Sequence, residues 1–231
     1  MKKTILLFFI SASSVLLYAQ QKRDYTLFMD AARENSVLFR GELPVNYGSK
    51  TPNDWSTYFA FSTNFEQGTI LFNGRLYEGI ELNLNAHLDE LYVKDRVGGV
   101  TRLVNRNFVD AFFLGSHHFI HYKQEPGSIL ISGYYEVLFM GNIKLFKKIR
   151  KVYFEEIVDR YRINKSYTLA EEFYLCKNDV WYRVGTKSDL KKIFPDQKRA
   201  IDHTVRTMGF DFSKKNRERA LLGTVTYLNT L

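Results

Sequence analysis

The chain has 231 residues, a formal net charge of +8 at neutral pH, 45% hydrophobic residues and one cysteine. A single cysteine excludes a fold held by internal disulfides, so stability has to come from a hydrophobic core, for which the chain is long enough. No apolar run after residue 19 approaches the roughly 20 residues of a membrane-spanning helix, which excludes a helical membrane protein.

The first 19 residues have the composition of a secretory signal peptide. They begin with Lys2 and Lys3, continue with an apolar run over 5–18 that is too short to cross a bilayer, and end at the small residue Ala19. No cysteine directly follows Ala19, so lipid attachment at a first cysteine is not expected. We predict that residues 20–231 form an exported protein of the periplasm, the outer-membrane surface or the extracellular space.

The mature chain is predicted to begin with a helix and to continue as short strands. Apolar residues near helical spacing indicate a short helix over 24–35. The Asn-Gly pair at 73–74 is a strong signal for a two-residue hairpin turn. Alternation of apolar and polar residues over 80–85 indicates a strand whose polar side, with Asn83 and Asn85, faces water.

Further strands are predicted wherever short apolar segments lie between turn residues. The charged passage 155–165 lacks this pattern and is predicted to lie between strands. The predicted strand segments are 88–94, 100–104, 108–114, 117–123, 128–140, 143–150, 172–176 and 180–184.

From residue 185 onward the sequence predicts helices. Ser188 is expected to cap a short helix that ends near Phe194, a second helix opens at Pro195 and ends at Gly209, and Ser213 caps the last one. The last helix carries an apolar stripe that should pack on the sheet. The stripe consists of Leu221, Leu222, Val225 and Leu228.

These elements predict an α+β fold. An antiparallel β-meander, forming a curved or partly closed sheet, follows the short N-terminal helix and precedes a C-terminal helical subdomain. We expect a signal peptide at 1–19 and a single domain at 20–231, with a β-rich body at 36–184 and the helical subdomain at 185–231.

Three of the five histidines lie in the segment GSHHFIHY at 115–122. On a strand, His117 and His121 share one face and stand about 13 Å apart at roughly 3.3 Å per residue, too far to bind one zinc ion at about 2 Å from each nitrogen. His118 points to the other face. The segment therefore predicts a strand and no metal site.

No catalytic constellation follows from the spacing of the reactive residues. There is no Gly-x-Ser-x-Gly elbow, and Cys176 lies in a strand-like stretch with no neighbour that would lower its pKa. The acid pairs at 89–90, 155–156 and 171–172 point to opposite faces of a strand, although carboxylates from separate strands could converge as in glycosidases. We predict no catalytic, cofactor-binding or metal-binding residue and no cofactor.

Basic and aromatic residues are abundant. The densest basic cluster, at 144–151, is predicted to be solvated surface. Among the 15 Tyr and 19 Phe, the doublets at 112–113, 134–135 and 181–182 should each place one ring in the core and one outside. Outward rings could stack on sugars or contact a protein, or they could pair across strands.

Four segments resemble one recurring family. They are GTILFNGRLYEGIEL at 68–82, FLGSHHF at 113–119, GYYEVL at 133–138 and WYRVGTKSDLKKIFPD at 181–196. The pattern is similar to uncharacterised exported proteins of Bacteroidetes-type bacteria and covers nearly the whole mature chain. This resemblance implies export and architecture, but it implies no activity and transfers no catalytic residue.

Three functions are compatible with these patterns, and the first is favoured. It is a non-enzymatic envelope protein with an interaction or accessory role and another envelope protein as partner. The second is a carrier for a small hydrophobic, lipid or glycan ligand in the cavity of a half-closed barrel. The third is a hydrolase whose carboxylates are distant in sequence. Export argues against nucleic acid as a partner, and the oligomeric state does not follow from the sequence.

Overall fold

One antiparallel sheet of ten strands dominates the computed structural model, which describes residues 37–95, 99–160 and 162–231. The predicted signal peptide at 1–19 and the predicted helix at 24–35 lie outside the described residues. The strands are β1 (Glu66–Phe72), β2 (Arg75–Asn85), β3 (Glu90–Lys94), β4 (Thr101–Leu103), β5 (Val109–Leu114), β6 (His117–Tyr122), β7 (Gly133–Met140), β8 (Ile143–Asp159), β9 (Arg162–Lys177) and β10 (Val180–Val184).

The sheet consists of two meanders that meet at their first strands. Strands β1 to β4 follow one another in one direction, β5 to β10 follow in the other, and β5 pairs with β1. The chain returns from β4 to β5 through a 3-10 turn at Arg106–Phe108. Strands β4 and β10 form the two edges, so the predicted antiparallel sheet is confirmed but the sheet is not closed into a barrel.

Two predicted hairpin turns occur where the backbone requires positive φ angles. Asn73 and Gly74 have φ angles of 51° and 71°, and Asn178 and Asp179 have φ angles of 51° and 61°. Two-residue hairpin loops of this kind favour Asn, Asp and Gly because those residues tolerate the left-handed region. The pairs β1–β2 and β9–β10 are therefore set by local sequence.

The longest hairpin lies where the sequence predicts no strand. Strands β8 and β9 stay paired over 155–159 and 162–165 of the charged passage, where both faces are exposed up to the half-buried Lys165, and this exposure accounts for the missing apolar alternation. Conversely, residues 128–132 are predicted as strand but do not form one. The Ser128 hydroxyl accepts a hydrogen bond from the Leu130 N–H, and β7 begins only at Gly133.

Three helices confirm the predicted helical C-terminus: α1 (Lys187–Ile193), α2 (Lys198–Thr207) and α3 (Arg217–Leu228). Two of the predicted caps are wrong. Thr186, rather than Ser188, caps α1 and forms a reciprocal capping box with Asp189. Ser213 lies four residues before the start of α3, in a turn where its N–H donates to Asp211.

Buried hydrophobic side chains form three clusters. The first, here called the strand core, joins residues of β1, β2, β3, β5 and β6. The second, here called the helix core, lies on the same face of the sheet as the strand core and joins β8, β9 and β10 to the three helices. Leu221, Val225 and Leu228 are buried in the helix core and Leu222 packs against it, which confirms the predicted apolar stripe. A smaller outer cluster with Tyr135 at its centre lies on the opposite face.

The outer cluster explains an aromatic doublet that departs from prediction. Tyr134 belongs to the strand core and Tyr135 to the outer cluster, so both rings are buried. The prediction of one buried and one outward ring is confirmed for Phe112 and Phe113, whose exposed fractions are 1% and 46%. The sheet therefore carries apolar packing on both faces around β7.

Candidate functional site

The sheet curves until the turn between β2 and β3 touches β8. The Lys151 N–H donates to the Ala86 carbonyl at 3.1 Å, and the Lys151 carbonyl lies 2.8 Å from Nδ1 of His87. Four strands separate β2 from β8 within the sheet, so this contact requires strong curvature. The turn consequently brings Asp89 against β7 and β8.

Asp89 is the centre of a largely buried polar cluster. Its carboxylate accepts hydrogen bonds from the Lys148 ammonium at 2.6 Å and the Tyr134 backbone N–H at 3.3 Å, and Oδ2 lies 3.6 Å from the Arg106 guanidinium. Arg106 also donates to the Asp89 carbonyl. Glycine suits position 133 because φ is 155° there, and a Cβ would also lie 2.6 Å from Nζ of Lys148 and closer still to the Asp89 carboxylate.

Lys147 and Lys148 are adjacent on β8, point to opposite faces and are each 3% exposed. Burial holds the pKa of Lys148 below its usual value, although Asp89 opposes the shift. Burial acts on Lys147 in the same direction, but the hydrogen bonds and charges of Glu136 and Glu218 outweigh it and raise the pKa of Lys147. The predicted solvated basic cluster is therefore wrong for these two residues.

Glu136 and Lys147 lie between the strand core and the helix core. Lys147 contacts Glu136 and the Glu218 carboxylate of α3, each at 2.7 Å, and Glu136 lies 2.6 Å from Nδ1 of His117. Phe61 stacks on the His117 imidazole with 4.0 Å between ring centroids. These contacts tie α3 to the middle of the sheet.

A cleft of about 700 Å³ opens beside the Asp89 cluster. Its walls come from residues 37–42, the β2–β3 turn, residues 103–106 and the Tyr134 side chain of β7. The volume lies within the roughly 300–1,000 Å³ typical of small-molecule sites. The charged lining residues are Arg40, Glu42, Glu90 and Arg106, and the apolar ones are Val37, Leu88, Leu103 and Val104.

The Tyr134 hydroxyl is buried in the wall of this cleft and has no well-aligned hydrogen-bond partner among the described residues. The residue is 2% exposed, and the Arg106 guanidinium lies 5.4 Å from the ring centroid. Burial raises the pKa of Tyr134, which Arg106 opposes only in part, so the hydroxyl stays protonated. Leaving a buried polar group unpaired costs about 1–3 kcal/mol.

Asn85 and Tyr92 hold Glu90 in the lining of the cleft. The Asn85 amide donates to the hydroxyls of Tyr92 at 2.8 Å and Tyr47 at 2.5 Å, and the Tyr92 hydroxyl donates to Glu90 at 2.9 Å. Asn83 and Asn85 are only 2% and 0% exposed, so their predicted wet positions are wrong. The chain that precedes β1 covers this face of β2, and its backbone and side chains satisfy both amides.

Of the residues singled out in the sequence, Asp89, Tyr134 and Lys148 come together in the cluster beside the cleft, whereas the histidines, Cys176 and the acid pairs at 155–156 and 171–172 do not form one site. His117, His118 and His121 lie on β6 as predicted, and in the described ranges no group of three or more His, Cys, Asp or Glu side chains could hold a metal ion. Cys176 is buried, and burial raises the pKa of its thiol. Glu172, from one of the acid pairs, is held by ion pairs to two arginines.

His121 provides a testable pH dependence. Burial, assisted by the Arg106 charge, holds the His121 pKa below its ordinary value. The unfolded chain therefore binds the proton more tightly, so stability is retained above about pH 6.5 and falls as the pH drops towards the lowered folded pKa. Urea unfolding between pH 7 and pH 5 should show a smaller loss for His121→Gln than for the wild type.

The exposed His203 provides the control for this measurement. His203→Gln should keep the full wild-type loss of stability over the same pH range. A His121→Gln protein with an unchanged pH slope would contradict the expected role of His121.

Strands β8 and β9 extend past β7 as a hairpin, here called the arm, whose described residues are 152–160 and 162–168. On one face Ile157, 76% exposed, pairs with Ile163. Asn53 covers the β9 edge, where its N–H donates to the Lys165 carbonyl at 3.1 Å. The exposed apolar residues of the arm are Val152, Phe154, Ile157, Val158 and Ile163.

No protein-family model, no curated protein and no solved structure matches this chain. The resemblance to exported Bacteroidetes-type proteins therefore stays a prediction. Within the described ranges, no helix combines the length and the apolar character needed to cross a membrane.

Proposed function

We propose that the protein is a non-enzymatic exported carrier that holds a small ligand in the cleft beside Asp89. The supporting observation is the buried Tyr134 hydroxyl in the wall of a cleft of ligand size, for which the described residues offer no well-aligned hydrogen bond although Arg106 lies nearby. Buried polar groups are normally hydrogen-bonded, so a ligand atom at this position would complete the wall. The walls come from four separate parts of the chain, which gives the cleft a defined shape.

Native mass spectrometry of the protein purified from its own host tests this proposal. The wild type should retain a small molecule, and Val37→Trp should lose it, because Val37 lines the cleft and is 56% exposed, so the larger ring can enter the cleft. Val180→Trp is the matched control, since Val180 is 50% exposed on β10, away from the cleft.

Two results would contradict a carrier. One is the absence of any retained molecule in the wild type. The other is turnover of the retained molecule that is lost in Glu42→Gln or Glu90→Gln, which would support the hydrolase with carboxylates distant in sequence.

The arm supports a second function, the interaction or accessory role. Five apolar side chains are exposed among the described residues of this hairpin, which extends beyond β7. Exposed apolar groups clustered in this way are typical of protein–protein contacts. The partner would be another envelope protein that packs its own apolar surface on the arm.

A photo-crosslinking residue placed at Ile157 tests this role in living cells. One dominant adduct is expected, because a bound partner would cover this side chain. The same probe at Met208, which is 59% exposed beyond α2, is the control and should give no such adduct. Equal labelling patterns at both positions would rule out a dedicated partner on the arm.

A further inference from the structure

Building on the proposed carrier function, we infer that the ligand is a zwitterion, namely an amino acid or short peptide with a free amino group and a free carboxylate. Among the charged residues that line the cleft, Arg106 suits an anionic group, and Glu42 and Glu90 suit a cationic one. An anion alone would face the two carboxylates, and a cation alone would face the Arg106 guanidinium. A ligand that carries both charges complements both kinds of group.

Arg106 and Tyr134 form the end of the cleft that suits a carboxylate. A guanidinium has five N–H donors in a planar fork that matches a carboxylate, and the contacts of Arg106 to Asp89 involve Nη2. The protonated Tyr134 hydroxyl can donate a further hydrogen bond to the same group. The ligand carboxylate would thus give the buried hydroxyl its partner.

Glu42 and Glu90 suit the ammonium group, and both are held in place. The Glu42 carbonyl accepts a hydrogen bond from the Leu103 N–H at 2.8 Å, so this part of the chain is attached to β4. Gly41 runs so close to the Leu103 carbonyl that any side chain at position 41 would collide with it. Glu90 is oriented by the hydrogen bond from Tyr92.

The apolar part of the lining suits the side chain or the backbone carbons of such a ligand. Val37, Leu88, Leu103 and Val104 line the same cleft as the four charged residues. A site that pairs both ends of a molecule and buries its middle selects by length as well as by charge. Blocking either end should therefore weaken binding.

The test uses the mature protein and a library of tripeptides with free ends, analysed by native mass spectrometry. We expect retention of a subset of these peptides, and at least tenfold weaker retention of matched libraries that are N-acetylated or C-amidated. Equal retention of the blocked and free libraries would overturn the inference.

Two variants probe the two ends of the site. Tyr134→Phe should weaken binding of a retained tripeptide roughly tenfold, the effect of one hydrogen bond, without lowering the stability of the ligand-free protein. Glu42→Gln should weaken binding of the free peptide but leave the N-acetylated form unchanged. A Tyr134→Phe protein that binds as well as the wild type would contradict the assigned carboxylate end.

The outcomes separate this inference from the carrier function. A retained host molecule without an amino group or without a carboxylate would overturn the zwitterion and leave the carrier standing. Retention of neither a host molecule nor any tripeptide would overturn both.

Discussion

Asp89→Asn is expected to lower the free energy of unfolding by about 3 kcal/mol, the range found when one partner of a buried ion pair is removed. The substitution keeps the side-chain shape and suits the positive φ of 59° at this position, since Asn tolerates the left-handed region. It removes the charge that compensates the Lys148 ammonium, whose side chain is 4% exposed. Urea unfolding monitored by tryptophan fluorescence measures the change.

A second substitution identifies the cause of this loss. Lys148→Met in the Asp89→Asn background should recover much of the stability, because it removes the uncompensated charge and leaves an apolar side chain near the Tyr135 ring. Asp202→Asn is the control, since this carboxylate pairs with Lys187 and Lys191 at the surface of the helices and its loss should cost much less than the loss of Asp89. A double variant no more stable than Asp89→Asn would contradict the uncompensated charge as the cause.

Lys147→Met is expected to cost a similar amount, about 3 kcal/mol. The substitution leaves the Glu136 carboxylate, which is 6% exposed, without its ammonium partner and with only His117 beside it. It also removes the link to Glu218, so α3 should loosen from the sheet. Urea unfolding measures the loss, and amide hydrogen exchange in α3 measures the loosening.

Glu136→Gln is the compensating change for Lys147→Met, because it removes the charge that would be left unpaired. The double variant should be more stable than Lys147→Met alone. Lys192→Met, at an exposed position on α1, should stay within about 0.5 kcal/mol of the wild type. A comparable loss in Lys192→Met would mean that the effect does not depend on burial.

Local signals predict the turns and most strands of this fold. The Asn-Gly pair at 73–74 and the turn at 177–179 fix their hairpins because only a few residue types tolerate the required φ angles. The sequence does not predict the arm, because no local signal marks it. It is held by backbone pairing between β8 and β9, while its exposed side chains carry no periodic pattern.

The polar clusters and the cleft depend on contacts between distant parts of the chain. Lys148 and Asp89 are 59 residues apart in sequence, and Lys147 and Glu218 are 71 apart. A run of adjacent lysines on a strand resembles a solvated face until such partners are known. Gly133 is the one local signal, since a glycine within a strand pattern indicates a close approach of other groups.

The order of the strands has a consequence for how the chain acquires its structure. Strands β8, β9 and β10 and the three helices follow one another along the chain. Pairing of these strands and packing of the helices therefore close only short loops. Pairing of β1 with β5 must wait for the whole of β2 to β4 to be made. Because short-range contacts form faster than long-range ones, a chain delivered from its N-terminus would carry β1 to β4 with the β1 edge open until β5 arrives. During that interval the open β1 edge can pair with another chain, a risk that ends when β5 covers it.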